Sequence, residues 1–335
     1  METLNVLQNT WFILVGVLLL GYSILDGFDL GIGTLLPFLA KKDEEKNALM
    51  HAIGPFWDGN EVWLLTGAGA LFASFPHAYA TVFSGFYLAL MLVLFALIFR
   101  AVSIEFFTHD EKNRKTWEWC FIIGSFLPSL LFGVALGNVI VGIPLDNHME
   151  FTGNFFTLLR PFPLVVGLLG LNAILLQGTT YAALKTSGDI RERARNLTNK
   201  LWISFIVLFV LSGIMAYIYI PGAFNRVLAW LAAVTAVAGW FLLKHFAKKG
   251  KDTLSFHMSS LSFAGLWGIV GAVHFPYMVR ASNDLSLSLT VRNASSTELT
   301  LTVMLIIALI GMPLVLLYTY YIFKTFKGSV KIDRK

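Results

Sequence analysis

Charged residues are scarce in this chain of 335 residues: they make up 13% of the sequence, whereas 56% of the residues are apolar. Average soluble domains carry about 25% charged residues. The apolar residues here form blocks of about 20 with almost no charge inside them, and about 20 such residues are what a helix needs to cross a bilayer core. The shortage of charge therefore excludes a pair of soluble domains and predicts an all-α, polytopic membrane protein.

Cysteine is almost absent, since Cys120 is the only one. An internal disulfide, a CxxCH haem-attachment site and a CxxC redox pair are therefore excluded. Histidine is missing where a haem would need it, because a haem buried in lipid takes axial His or Met ligands from within a span. All seven histidines fall in loops or at span ends, and the scattered methionines are interpreted as packing residues. We expect this chain to bind neither haem nor metal on its own.

Nine apolar blocks follow one another, and we predict that each crosses the membrane once. The first lacks the basic segment and the small-residue cleavage site of a removed signal, so it is expected to be retained. The blocks predict a single integral membrane domain over 1–335, with two four-helix groups (spans one to four and five to eight) and one peripheral helix. The predicted spans are 8–37, 51–74, 78–99, 118–141, 161–184, 200–220, 226–246, 256–278 and 299–324.

Basic residues are distributed unevenly between the two sides of these spans. When residues at span ends are counted with the adjoining loop, 21 of the 25 Lys and Arg residues fall on the side of the C-terminus and four on the side of the N-terminus. Cytoplasmic loops carry the excess of Lys and Arg, so the N-terminus is predicted outside and the C-terminus in the cytoplasm. The net charge of +5 is thus explained by orientation, and no nucleic-acid partner is expected.

Four acidic residues lie deep inside the spans. Asp26 and Asp29 belong to the first span, and Asp58 and Glu61 belong to the second, which is the least apolar. Each pair is three residues apart and therefore shares one helix face. A carboxylate at mid-bilayer is costly and rare without a function or a partner.

No Lys or Arg lies within either of these two spans. The nearest cations are Arg100, placed at the cytoplasmic end of the third span, and His51, at the mouth of the second. We therefore expect four mostly protonated acids in one band of depth, open to the cytoplasm, which is what proton conduction requires. Neutral acids that only hydrogen-bond helices together and a cation-binding site are the alternatives.

Two motifs in these spans resemble signatures of one family. Residues 25–33 (LDGFDLGIG) and 54–64 (GPFWDGNEVWL) resemble the DGFD-x-G-x-G and WDGNEVW signatures of subunit II of cytochrome bd quinol oxidases. The segment that follows has Ser74 where the family usually has Ala. Further matches at 85–87 and 151–156 extend the resemblance over essentially the whole chain.

The resemblance implies a nine-helix subunit of a prokaryotic cytoplasmic membrane that pairs obligately with subunit I. Subunit I carries the quinol site, two b-type haems and one d-type haem, whereas subunit II ligates no haem. The complex oxidises quinol, reduces dioxygen to water and builds a proton gradient by taking protons from the cytoplasm without pumping. A structural quinone and small single-span accessory subunits are further components that the resemblance allows, while the type of quinol stays unspecified.

The resemblance also implies roles for individual residues. Acids of subunit II that match Asp58, Asp26 and Asp29 deliver protons toward the haems of the partner, and Glu61 lies in the same band. The residues expected to support this path are Trp57, Asn60, Arg100 and Glu105.

Some alternatives stay open at this point. Glu105 suits the cytoplasmic entrance of the path, but a solvated loop charge would look the same. For the whole chain, a scaffold that only stabilises a haem-bearing partner is one alternative. A proton-coupled secondary transporter is the other, although the spans lack a matched pair of broken helices.

Overall fold

The structure is a computed structural model that describes residues 2–330, most of them helical. Eight helices in this part of the chain are long and apolar enough to cross a membrane, namely all the helices below except α2, α3 and α4. The helices are α1 (Glu2–Leu39), α2 (Asp43–Ile53), α3 (Trp57–Ser74), α4 (Pro76–Gly85), α5 (Tyr87–Phe106), α6 (Arg114–Val141), α7 (Pro161–Lys185), α8 (Gly188–Tyr219), α9 (Val227–Lys248), α10 (Asp252–His274) and α11 (Glu298–Thr325).

The second predicted block, 51–74, is not one continuous helix. Its first residues end α2, a turn follows at 54–56, and α3 begins at Trp57. Pro55 lies in this turn, and it has no amide hydrogen to continue the ladder of helical hydrogen bonds. Asp58 consequently lies in the first turn of α3 and not inside a continuous helix that begins at residue 51.

The third predicted block, 78–99, is also divided. α4 ends at Gly85, where the ring of Phe151 packs so closely that no Cβ would fit without movement, and α5 starts at Tyr87. α5 then continues to Phe106, seven residues past the predicted end. The sequence had placed Arg100 at the cytoplasmic end of the third span. In the structure it lies inside α5.

α8 starts twelve residues before the predicted span at 200. This extension is amphipathic, because Ile190 and Ala194 are fully buried while its charged side chains are exposed or half-buried. Arg191 and Arg195 in the extension form ion pairs with Asp252 at the start of α10. The charged residues of this extension placed it outside the predicted apolar block. Its buried residues and its ion pairs with α10 stabilise it as a helix.

α1 is the central helix of the first half of the chain, in contact with α3, α6 and α7 along its length. Its close approach to α7 depends on two glycines, because a Cβ at Gly31 would collide with the backbone of Gly178, and the reverse also holds. Small residues at such crossings are typical of helices packed in lipid. α11 packs mainly along α1 and α3 and stays largely exposed.

The loops on the side of the molecule where α1 begins contain regular structure. They include a small antiparallel sheet of β1 (Tyr277–Val279) and β2 (Leu289–Thr290). The loop between α6 and α7 is tied down by Arg160, whose Nη2 donates to Asn138 Oδ1 at 2.9 Å and to the Gly142 carbonyl at 2.5 Å. A buried apolar cluster lies between these loops and α1.

Candidate functional site

A fully buried arginine lies at the centre of the intramembrane acids. Arg100 Nη2 on α5 donates to Asp26 Oδ1 on α1 at 2.7 Å and to Glu61 Oε1 on α3 at 2.5 Å. Asp26 is fully buried and the Glu61 side chain is 24% exposed. The sequence offered Arg100 as the nearest cation but placed it at the end of its span, whereas the structure brings it into direct contact with Asp26 and Glu61. The reason is that α5 extends beyond its predicted end and brings Arg100 between α1 and α3.

Close packing of α5 against α6 holds this arginine in place. Gly124 on α6 faces the backbone of Ala96 and Arg100, and a Cβ at this position would collide with both. The backbone of α5 is thereby held against α6 at this level, and the guanidinium makes charge-assisted hydrogen bonds to the two carboxylates.

Asn60 connects the second acid of α1 to α3. Its Nδ2 donates to Asp29 Oδ2 at 2.7 Å and to the Leu25 carbonyl at 3.2 Å. Asp29 is fully buried and Asn60 is 4% exposed. Asn60 thus orients one oxygen of Asp29, and the two motifs singled out in the sequence meet in one polar cluster. We call Asp26, Asp29, Asn60, Glu61 and Arg100 the acid cluster.

Several polar atoms of the acid cluster have no hydrogen-bond partner among the described residues. They are Asp26 Oδ2, Asp29 Oδ1, and Nε and Nη1 of Arg100. More than nine in ten buried polar groups in proteins find a partner, so four such atoms in one cluster need an explanation. The cluster contains three carboxyl groups and one guanidinium, and it keeps both donors and acceptors for further hydrogen bonds.

Asp58 does not belong to this cluster. It is exposed at the start of α3 and makes no hydrogen bond or ion pair with the described residues. The expected grouping of all four acids is therefore only partly correct: Glu61 turns inward to Arg100, whereas Asp58, one turn away, lies on the outer surface of the chain. An acid in the first turn also interacts favourably with the helix dipole.

The remaining expected residues lie around the edge of the site. Trp57 is half-buried and packs against an apolar core cluster, and Glu105 is exposed near the end of α5. Sequence reasoning missed Tyr22, which is buried on α1 four residues before Asp26. The spacing of four residues along one helix was the available signal.

The histidines do not form a haem site. Along residues 2–330 none lies in the middle of a helix that could span the membrane, and His274, the one that is buried, ends α10. No three His, Cys, Asp or Glu side chains of the described residues are placed to hold a metal ion. Axial haem ligation needs a side chain at the depth of the porphyrin, and the histidines of this chain do not fit that requirement.

Comparison with known proteins identifies the family. A sequence model described as cytochrome bd terminal oxidase subunit II matches residues 7–326. The chain belongs to this family. The resemblance read from the two motifs is thereby confirmed, and the secondary-transporter alternative loses its support.

Relatives in the subunit II family align with this chain over nearly its whole length. Cytochrome bd-I ubiquinol oxidase subunit 2 of Escherichia coli strain K12 is 36% identical, and the match covers 97% of this chain and 96% of that protein. Cytochrome bd ubiquinol oxidase subunit 2 of Bacillus subtilis strain 168 is 35% identical over 95% of this chain and 96% of its own.

The fold is also that of a solved structure. A chain of the bd oxidase from Geobacillus thermodenitrificans superposes with a TM-score of 0.81 over 96% of this chain and 98% of that one. Its sequence identity is 16%, so this match supports the fold alone. Together with its apolar helices, family membership makes the chain a multi-pass, all-helical membrane protein.

Proposed function

We propose that this chain is the haem-free subunit II of a cytochrome bd quinol oxidase and that it conducts cytoplasmic protons toward a haem-bearing subunit I. The buried acid cluster around Arg100 is the observation that carries this proposal. Subunit I would hold two b-type haems and one d-type haem, oxidise quinol and reduce dioxygen to water. The names of the relatives support a quinol as the electron donor.

The proposed topology has nine crossings in the cytoplasmic membrane of a prokaryote, with the N-terminus outside. α3 supplies the second crossing, although its first turn is too polar for it to count among the eight apolar helices. α4 and α5 together supply the third. The excess of Lys and Arg at one set of helix ends favours this orientation. α1 to α6 and α7 to α10 would form the two four-helix groups, with α11 at the periphery.

Charge balance favours a proton-carrying role for the acid cluster. One guanidinium can neutralise one of its three carboxylates, and burying two more uncompensated charges would cost several kcal/mol each. The cluster therefore needs to hold protons, and a carboxyl group that holds a proton between two hydrogen-bonded neighbours can pass it on. Its unpartnered carboxyl oxygens, Asp26 Oδ2 and Asp29 Oδ1, give such transfers a place to continue.

The position of Asp58 favours a path that is shared with subunit I. Its neighbours on the outer face of α3, Val62 and Leu65, are exposed and apolar. An ionised carboxylate on a lipid-facing surface is costly, whereas a protein interface can hydrate it or give it a partner. We therefore propose that this face of α3 contacts subunit I and that protons pass between Asp58 and Glu61, one turn apart.

A scaffold role is the second candidate, and one observation favours it. The contacts of Arg100 tie α1, α3 and α5 together, which would stabilise the subunit even if no proton moved. A buried ion pair of this kind is strongly destabilising when one partner is removed. Proton conduction and stabilisation therefore have to be separated by a change that keeps the fold.

Replacement of Asp58 by Asn separates the two roles. The amide keeps the size and most hydrogen-bonding capacity of the carboxyl group but cannot release a proton. We expect quinol-dependent oxygen uptake of the purified native complex to fall strongly, with normal assembly and haem content. Asp58→Glu should retain more activity than Asp58→Asn.

Two further variants complete this test. Asp29→Asn should act in the same direction as Asp58→Asn, because Asp29 belongs to the buried cluster. Glu105→Gln should have a smaller effect, because Glu105 is exposed and water can replace it. Full turnover of an intact, haem-loaded Asp58→Asn complex would remove Asp58 from the path and leave the scaffold role as the better account.

A further inference from the structure

Tyr22 is a buried hydroxyl-bearing residue that no motif of the family singles out. Its side chain is 5% exposed, and its Oη has no hydrogen-bond partner among the described residues. A buried hydroxyl without a partner is unfavourable, and phenylalanine would fill the same space without that penalty. A structural role in packing therefore does not account for a tyrosine at this position.

The hydroxyl is next to the acid cluster along α1. Tyr22 precedes Asp26 by four residues, so the two side chains are neighbours on one face of the helix. Asp26 has its own unpartnered oxygen, Oδ2, since Oδ1 is the atom that accepts from Arg100. An unpartnered donor and an unpartnered acceptor are thus adjacent at the end of the cluster farthest from α2.

Packing fixes the ring of Tyr22 and therefore the direction of its hydroxyl. Phe132 on α6 meets the ring edge-to-face, with ring centroids 5.6 Å apart. The preceding residue, Gly21, lies directly under the ring of Trp63, and a Cβ there would collide with it. α1 therefore has neighbours on both sides at this level, and the ring of Tyr22 packs in the space between the α1 backbone and α6.

We propose that Tyr22 is a further proton-relaying residue, which extends the acid cluster by one helical turn toward the N-terminal end of α1. This inference rests on the proposed proton conduction and adds about 6 Å to the route, given a rise of 1.5 Å per residue over four residues. The order along α1 is then Asp29, Asp26 and Tyr22, leading away from the proposed cytoplasmic side.

The transfer needs no tyrosinate and no co-reactant. A lone pair of Tyr22 Oη accepts a proton that originates from the carboxyl group of Asp26, while the O–H proton of Tyr22 leaves to a water molecule. One O–H bond forms as the other breaks, and rotation of the hydroxyl restores the starting state. The net result is the movement of one proton, with Tyr22 neutral before and after.

The test is Tyr22→Phe in the purified native complex, compared with Tyr181→Phe as a matched control. Tyr181 is also fully buried, but its hydroxyl donates to the Ala52 carbonyl at 3.0 Å in an apolar cluster. For Tyr22→Phe we expect quinol-dependent oxygen uptake to fall by about tenfold, less than the loss of a full general acid because water can take over part of the relay. The ratio of rates in H2O and D2O should increase, while haem content stays normal.

Melting temperatures should distinguish the two variants in a second way. Tyr22→Phe removes a hydroxyl without a partner, so the melting temperature of the complex should stay the same or rise. Tyr181→Phe removes a satisfied hydrogen bond, so its melting temperature should fall while its rate and isotope ratio stay unchanged. Unchanged turnover and isotope ratio in Tyr22→Phe would overturn the inference.

Asp26→Asn distinguishes failure of this inference from failure of the proposed function. Slow turnover in Asp26→Asn with normal turnover in Tyr22→Phe would mean that protons use the acid cluster but not Tyr22. Normal turnover in an intact Asp26→Asn complex would contradict the proposed conduction through Asp26, and the inference about Tyr22 would fail with it.

Discussion

Arg100 determines what the acid cluster can do at the scale of single residues. A guanidinium is always charged and donates in a planar fork, so it can hold two carboxylates from different helices at once. Here it bridges Asp26 and Glu61 with one nitrogen, Nη2, and leaves Nε and Nη1 without protein partners. The cluster is thus a set of acids organised around a fixed positive charge.

The first prediction concerns removal of this charge. In Arg100→Gln, Asp26 and Glu61 lose their only cationic partner among the described residues. Breaking a buried ion pair by removing one partner costs about 3–5 kcal/mol. We expect little or no haem-loaded complex in membranes that produce this variant, measured from the visible spectrum and by size-exclusion chromatography.

The double variant Arg100→Gln with Asp26→Asn tests the cause of that loss. Since both members of one pair become neutral, the yield of complex should exceed that of Arg100→Gln alone, as double-mutant cycles show for coupled residues. A yield of the Arg100→Gln complex equal to that of the unmodified protein would contradict the assigned role of the arginine.

The sequence predicted the members of the acid cluster better than their environment. Acids are rare in apolar blocks, so Asp26, Asp29 and Glu61 were evident from composition alone. The bond to Arg100 was not, because it depends on how far α5 continues and on the close approach of α5 to α6 at Gly124. Nor can a spacing of three residues say that Glu61 faces inward and Asp58 outward.

At the scale of helices, prediction succeeded at some polar ends, failed at the charged start of α8, and failed where a helix breaks within an apolar block. α7 and α11 have ends close to their predicted bounds, because charged or polar residues adjoin the apolar run. Gly54 and Pro55 mark the break at 54–56, but a count of apolar residues does not register them, and hydrophobic residues continue through the break at Phe86. A break in the hydrogen-bond ladder leaves no trace in a count of apolar residues.

The short helix α2 gives the second prediction, which is a pH dependence. Glu45 accepts backbone N–H bonds from Lys41 and Lys42 at 2.6 and 3.2 Å, and Arg193 Nη2 donates to its other oxygen at 2.5 Å. Burial by itself would raise the pKa of Glu45, but these hydrogen bonds outweigh it and lower the pKa below its ordinary value of 4.5. The ionised form therefore stabilises the fold.

Glu45→Gln should accordingly lower the melting temperature at neutral pH by weakening the start of α2, with a cost of about 1 kcal/mol that is typical of helix caps. A group with a lowered pKa contributes stability above its ordinary pKa, and this is lost as pH falls through the folded value. The deficit of the variant should thus stay constant above about pH 5 and shrink below it.

Glu44→Gln is the matched control for this comparison. It makes the same change of charge on the adjacent residue, which is exposed and forms no hydrogen bond or ion pair with the described residues. At neutral pH its melting temperature should fall less than that of Glu45→Gln, because it loses only the weak helix-dipole interaction of an exposed acid. An equal deficit in both variants would assign the effect to net charge and not to the cap.

At the scale of the whole molecule, the loops between helices carry the signal from which we predict the orientation. The apolar helices alone would permit either direction across the membrane, because they contain no directional signal. The uneven distribution of Lys and Arg supplies that signal. α3 is decisive for it, since without a crossing between α1 and α5 the alternation of basic and non-basic loops would be lost.

The third prediction tests this orientation with reporters fused after truncation of the chain. A fusion after Gly188, at the start of α8, should report the cytoplasm, and a fusion near Asn147, between α6 and α7, should report the outside. Alkaline phosphatase, active only outside, and a fluorescent protein that matures in the cytoplasm should give opposite signals at each position. Reversal at either position would show that the number of crossings before it is wrong.

Asp58 lies on the outer surface of α3, apart from the buried cluster. This position has a consequence for the synthesis of the two subunits in the cell. The proposed route is divided between two polypeptides and would be complete only where they meet. A surplus of subunit II in the membrane would then leak no protons, and the two chains could be synthesised in unequal amounts without discharging the membrane.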